Sequence, residues 1–240
     1  MARATGKVCV TGADGYLGSW VVKHLISNNY TVHDTVRQPG NAKYAHLNQL
    51  ERAPHNLQLF KANVLDYDSL CSAIAGCIDV FHVASPVLST IEEVIEPAVK
   101  GTLNVLKACV ESNVKRVVVV SAVSLNTRWP VGQIKDEACR SDKEYCAATK
   151  NWYCLSKTEA EIDAFEFAKR SGLDVITVCP TLNGGHFCSP PSMLVASFSE
   201  GGEEDTISSE KLQRLGWSYR RLEETLVDSI ESYKKAGILD

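Results

Sequence analysis

A chain of 240 residues, 45% hydrophobic and 22% charged, has the composition of an ordinary globular domain, with room at most for a small second lobe. Its net charge of −4 offers nothing to attract nucleic acid or an anionic membrane surface. Nine scattered cysteines, with no C-x-x-C and no Cys/His group at zinc spacing, argue against a disulfide scaffold or a metal site.

The opening "MARATGKVCV" passes from a short polar lead into an apolar run, without the apolar core of a signal peptide. No stretch approaches the roughly 18 apolar residues of a membrane span. The expectation is a soluble cytoplasmic protein. Six short runs rich in Val and Ile then read as strands: "KVCVT" at 7, "YTVHDTV" at 30, "LQLF" at 57, "DVFHVAS" at 79, "KRVVVVS" at 115 and "LDVITVC" at 173. Helical segments separate them, which predicts a mainly parallel sheet covered on both faces.

The first run ends in "TGADGYLGSW", and a helix "YLGSWVVKHLISNN" follows. Gly12, Gly15 and Gly18 stand three apart between strand and helix. Such a turn brings bare backbone to a pyrophosphate seated at the helix N-terminus. Gly12, Ala13, Gly15, Tyr16, Leu17 and Gly18 are therefore candidate dinucleotide contacts. The second strand should end at the adenosine ribose, where an acid favours NAD and a base favours NADP. Asp34 is the acidic candidate and lies inside the run. Arg37 directly follows Val36 at the expected strand tip, with Lys43 beyond it. This reading favours NADP.

Residues 91–113 are predicted as a helix with Val94, Ala98, Leu103, Leu106 and Val110 close to one face. Residues 145–171 are predicted as another long helix. It carries "NWYCLSK", so Tyr153 and Lys157 share a face one turn apart. A nearby ammonium favours the phenolate and lowers the tyrosine pKa, suiting the phenol to donate a proton during a reduction. Helical and strand patterning stops after residue 182. Residues 183–205 contain four Gly, four Ser and two Pro, and read as a loop. "ISSEKLQRLGW" and "RRLEETLVDSIESYKKAG" then read as two closing helices, the first capped by Ser208 or Ser209.

Taken together, "TGADGYLGSW", "TVRQPGNAKYAHL", "VFHVASP", "GTLNVLKAC", "KNWYCLSKTEAE" and "CPTL" resemble the extended short-chain dehydrogenases/reductases. Within these, the chain resembles the plant cinnamoyl-CoA reductase and dihydroflavonol reductase group. The resemblance implies a Rossmann-type doubly wound parallel sheet and an NADP-dependent reductase of a carbonyl or an acyl-CoA thioester. The implied substrate is a small phenylpropanoid-type molecule. It further implies adenine contacts at Asn63 and Val64, cofactor contacts at Val83, Ala84 and Ser85, and nicotinamide contacts at Pro180 and Thr181. Lys157 would also hold the nicotinamide ribose, with Tyr153 as proton donor.

Three departures stand against the resemblance. The second serine of the family's pair after the fifth strand is Ala122 here, leaving Ser121 or Ser124 as candidate substitutes. Leu155 and Ser156 stand where cinnamoyl-CoA reductases carry Tyr-Gly. The family's substrate lobe is replaced by residues 183–205, as in an internal deletion. The expected organisation is a cofactor domain at 1–182, an irregular loop at 183–205 and a helical remnant at 206–240. Surface that the lobe would cover should favour self-association. Two other readings remain open: an epimerase or dehydratase using NAD, and a catalytically impaired cofactor-binding remnant that acts as an interaction module.

Overall fold

The computed structural model describes residues 6–13, 15–41, 44–85, 91–122, 134–136, 139–180, 208–218 and 222–235. All six apolar runs form strands: β1 (Lys7–Thr11), β2 (Thr31–Val36), β3 (Leu57–Lys61), β4 (Asp79–His82), β5 (Arg116–Val120) and β6 (Asp174–Val178). The helices are α1 (Tyr16–Ser27), α2 (Ala45–Asn48), α3 (Ala53–Asn56), α4 (Tyr67–Ile74), α5 (Ile91–Glu111), α6 (Lys143–Ala148), α7 (Trp152–Ser171), α8 (Glu210–Arg214) and α9 (Leu222–Lys235). The strands pair in parallel in the order β3-β2-β1-β4-β5-β6. The chain winds outward from β1 to β3, then returns to the other side of β1. This is the Rossmann-type sheet, with its switch point between β1 and β4.

Strand periodicity explains the two cores. Adjacent residues of a strand face opposite sides of the sheet. Cys9 joins Leu70, Ile74, Val80, Leu106, Val117 and Val119 on the side covered by α4, α5 and α7. Val10 joins Val22, Ile26, Val32 and Leu47 beneath α1 and α2. Full burial of a side chain such as Leu106 contributes about 1.5–3 kcal/mol. Cys9, Cys77 and Cys109 are packed in the first core, and burial pushes the Cys77 thiol up to about 11. These thiols act as small apolar groups.

Cover is uneven at the sheet's far edge. Ile176 of β6 is 40% exposed, and Val118, paired with it in register, is only half-buried. Among the described residues, this face of β5 and β6 is left partly open. α7 packs on β6 and helps bury the opposite face, where Val175 joins the first core.

Two helix predictions need correction. The buried stripe of α5 is Val94, Ala98, Val105, Leu106, Ala108 and Cys109, while Leu103 is half-buried and Val110 is exposed. At about 100° per residue, Leu103 and Val110 lie nearly opposite Val94. The predicted helix over 145–171 is two helices. Lys150 adopts φ 55°, and Asn151 opens α7 by accepting the Cys154 N–H on its side chain at 3.0 Å. Thr149 Oγ1 donates to the Tyr145 carbonyl at 2.8 Å and helps close α6. Gly172, at φ 76°, ends α7. At α8, Ser209 is the N-cap residue but caps through no side-chain bond; the Ser208 hydroxyl accepts the Glu210 N–H at 3.3 Å instead. No helix among the described residues is long and apolar enough to cross a membrane.

Candidate active site

The carboxyl ends of the strands gather most of the candidate residues. Gly12 follows β1 at φ +75°, a conformation that favours glycine. A Cβ on Gly12 would stand 2.7 Å from the Ala84 backbone, so β1 and β4 close together only over a bare Cα. A Cβ on Gly18 would stand 2.4 Å from the Gly12 carbonyl oxygen and 2.6 Å from the Ala13 Cα. That glycine packs α1 onto the turn. Gly15 differs: its nearest neighbour would be the Gly12 oxygen at 3.6 Å, an ordinary contact.

Gly15 is the N-cap of α1, with no side-chain cap and no acid in the first turn. The helix dipole there favours an anion. Ala13 is buried, and its carbonyl accepts the Ser19 hydroxyl at 2.7 Å. Leu17 is half-buried, and Tyr16 begins α1.

Arg37 is exposed immediately beyond β2, whereas Asp34 is fully buried in mid-strand, in register with Val10 and Leu59. Asn63 and Val64 follow β3. The Asn63 side chain accepts the Leu65 N–H at 3.0 Å, and the Val64 carbonyl accepts from Asn104 at 3.0 Å. Val83, Ala84 and Ser85 follow β4. The Ser85 hydroxyl is buried with no hydrogen-bond partner among the described residues. Pro180 is half-buried two residues beyond β6. Lys43, Ser124 and Thr181 lie outside the described residues.

On α7, Tyr153 is 39% exposed and Lys157 is buried. The Lys157 ammonium donates to the Val120 carbonyl at the end of β5. Burial pushes Lys157 down to about 8, against the opposing pull of Glu161 and Cys179. Tyr153 is raised by burial, with a smaller push from Cys154, rather than lowered as expected. Ser121, directly after β5, is buried, and its hydroxyl donates to Glu161 at 2.5 Å. Ala122 is half-buried beside it.

Sequence reasoning missed one buried network. The His82 ring lies between the Thr11 hydroxyl at 2.8 Å and the Thr102 hydroxyl at 3.1 Å, and the Ala84 N–H donates to Thr11 Oγ1 at 3.2 Å. Burial lowers His82 to about 3, with Lys157 adding a smaller push in the same direction. The ring is neutral and ties the ends of β1 and β4 to the middle of α5. Nothing in a strand's sequence marks such a histidine. Glu161 was readable, since it repeats the spacing of Tyr153 and Lys157.

A six-stranded parallel sheet in this order, with a glycine turn at its switch point, defines a dinucleotide-binding α/β protein. The uncapped α1 terminus, the open ground at Gly15 and the orphaned Ser85 hydroxyl all fit a nicotinamide dinucleotide. The chain matches the NAD dependent epimerase/dehydratase family over residues 8–212, and it belongs to that family. It is 49% identical over 189 residues to cinnamoyl-CoA reductase 1 of Petunia hybrida, a match covering 77% of this chain and 57% of that protein. The chain thus spans little more than half the length of that relative. Its fold matches vestitone reductase from alfalfa with a TM-score of 0.84 and 26% identity, over 98% of this chain and 100% of that one. It also matches Gre2 from Candida albicans in complex with NADPH, with a TM-score of 0.59 and 28% identity, over 75% and 58% of the respective chains.

Proposed function

We propose that this chain is an NADP-dependent oxidoreductase of the cytoplasm, reducing a carbonyl or acyl-CoA thioester of a phenylpropanoid-type substrate. The observation that carries the reading is α7, with Tyr153 and Lys157 one turn apart and Lys157 buried against the end of β5. The likeness to a cinnamoyl-CoA reductase supports the substrate class.

NADPH, when bound, supplies the hydride. The chain's own residues do the rest. The backbone from Gly12 to Gly18 and the α1 terminus receive the pyrophosphate. Arg37, with Lys43, receives the 2′-phosphate, which the mid-strand burial of Asp34 leaves unopposed at the strand tip. Asn63 and Val64 border the adenine. Val83, Ala84, Ser85, Pro180 and Thr181 line the path toward the nicotinamide. Tyr153, with its pKa raised, is fully protonated at neutral pH and holds the proton that the substrate oxygen requires. Lys157 orients the nicotinamide ribose. Ser121 and Ser124 are the hydroxyls nearest in sequence to Ala122, where a carbonyl contact would otherwise come from a serine.

Titration of the purified chain with NADPH and NADH tests the cofactor assignment. NADPH should bind more tightly, and Arg37→Asp should weaken NADPH binding by about 1.5–3 kcal/mol while hardly altering NADH binding. Equal affinity for the two cofactors in the unmodified chain contradicts it.

A further inference from the structure

Tyr153, Lys157 and Glu161 form a ladder on α7. Each step of four residues advances about 40° beyond a full turn, so the three span one side of the helix. Two rungs grip the end of β5. Lys157 donates to the Val120 carbonyl, and Glu161 accepts the hydroxyl of the next residue, Ser121, at 2.5 Å. The Ser121 N–H in turn donates to the Val178 carbonyl at 2.8 Å, tying the same point to β6.

We propose that Glu161 is a positioning residue of the Tyr153–Lys157 site. Its carboxylate fixes the Ser121 hydroxyl and serves as the counter-charge that keeps Lys157 an ammonium at working pH. The inference rests on the reading of that pair as the reductase site. It departs from a merely structural role because Lys157 sits in a low-dielectric position where its charge needs support. Burial is the dominant influence on Lys157 and disfavours the charge. Among the described residues, the groups that face Lys157 are Glu161 on its own helix, Cys179 beyond β6, and neutral His82 on β4; the Val120 carbonyl at β5 accepts from it. Glu161 carries the only carboxylate of this set. Ser121 therefore turns its proton toward Glu161, and the β5 end is held from the helix side.

The test uses the full chain labelled with 13C at lysine Cε, with Lys157→Arg assigning the resonance. Lys157 should titrate near pH 8 in the unmodified protein. Glu161→Gln keeps an oxygen for Ser121 but removes the charge, and should lower that midpoint by about one pH unit. Glu159→Gln is the control, because Glu159 pairs with Lys143 at 2.8 Å; it should leave the midpoint in place. At pH 8 the charged fraction of Lys157 would then fall about fivefold, and NADPH affinity with it, while binding at pH 6 stays near that of the unmodified protein. If Glu161→Gln does not fold, Glu161→Asp draws the charge back by one methylene and should produce a smaller fall. An unchanged lysine midpoint in either folded variant overturns the proposal. Failure to bind NADPH at any pH counts against the reductase reading instead, and the lysine titration still decides the role of Glu161.

Discussion

At the scale of single residues, His82 shows what burial does to a titratable group at the site. Its folded pKa lies near 3, below the ordinary value of 6.5. As pH falls below about 6.5, the unfolded chain takes up a proton that the folded chain refuses. The folded state therefore loses stability by about 1.4 kcal/mol per pH unit between 6.5 and 3. His82→Gln should flatten this dependence, whatever it does to absolute stability. Urea unfolding at pH 6.5 and 4.5 provides the measurement, and equal slopes in the two proteins would refute the account. Tyr153 and Lys157 were legible because two residue types at helical spacing carry known chemistry. His82 was not, because its role depends on Thr11 and Thr102, which only the folded sheet brings to it. The helical spacing that puts Lys157 one turn from Tyr153 is seen in α7, while the lysine's burial was not legible from it. Its ammonium is bonded to Val120, and the phenol is governed by burial with a smaller push from Cys154.

At the scale of elements, the glycine turn divides into packing and binding roles. Gly18→Ala forces a methyl onto the Gly12 carbonyl oxygen, and should destabilise the fold by about 1–3 kcal/mol. Gly15→Ala meets nothing closer than 3.6 Å and has ordinary N-cap backbone angles, so stability should hold. Under the proposed function the added methyl would stand where the pyrophosphate approaches, and dinucleotide affinity should fall by at least about tenfold. Thermal unfolding and NADPH titration of the two variants separate these effects; equal stability loss in both would contradict the division. The six strands were all visible as apolar runs, because a parallel sheet buries both faces of its central strands. Single-turn α2 and α3 carry too few residues for a periodic signal. The break between α6 and α7 was hidden because Lys150 gives no sign of its positive φ, although Asn151 is a recognisable cap. The α5 face was misjudged by including Leu103 and Val110, and the buried Thr102 within the true stripe obscured it.

At the scale of the whole molecule, cover among the described residues thins toward β6. Ile176 is 40% exposed on β6, and Leu215, Trp217, Val227 and Ile230 are exposed on or beside α8 and α9. Exposed apolar side chains such as these favour association between copies. Sedimentation velocity should show a concentration-dependent rise in mass, reduced by Ile176→Thr; a monomer at all concentrations would contradict this. The same architecture still sets Lys157 against the carboxyl end of β5, with Tyr153 one turn before it on α7. The most direct test follows NADPH oxidation by this chain with hydroxycinnamoyl thioesters and aldehydes, alongside Tyr153→Phe. The account predicts turnover in the unmodified protein, lowered by about 10²–10⁴ in Tyr153→Phe with NADPH binding retained. NADPH binding with no turnover on any of these substrates, or full activity in Tyr153→Phe, would contradict it.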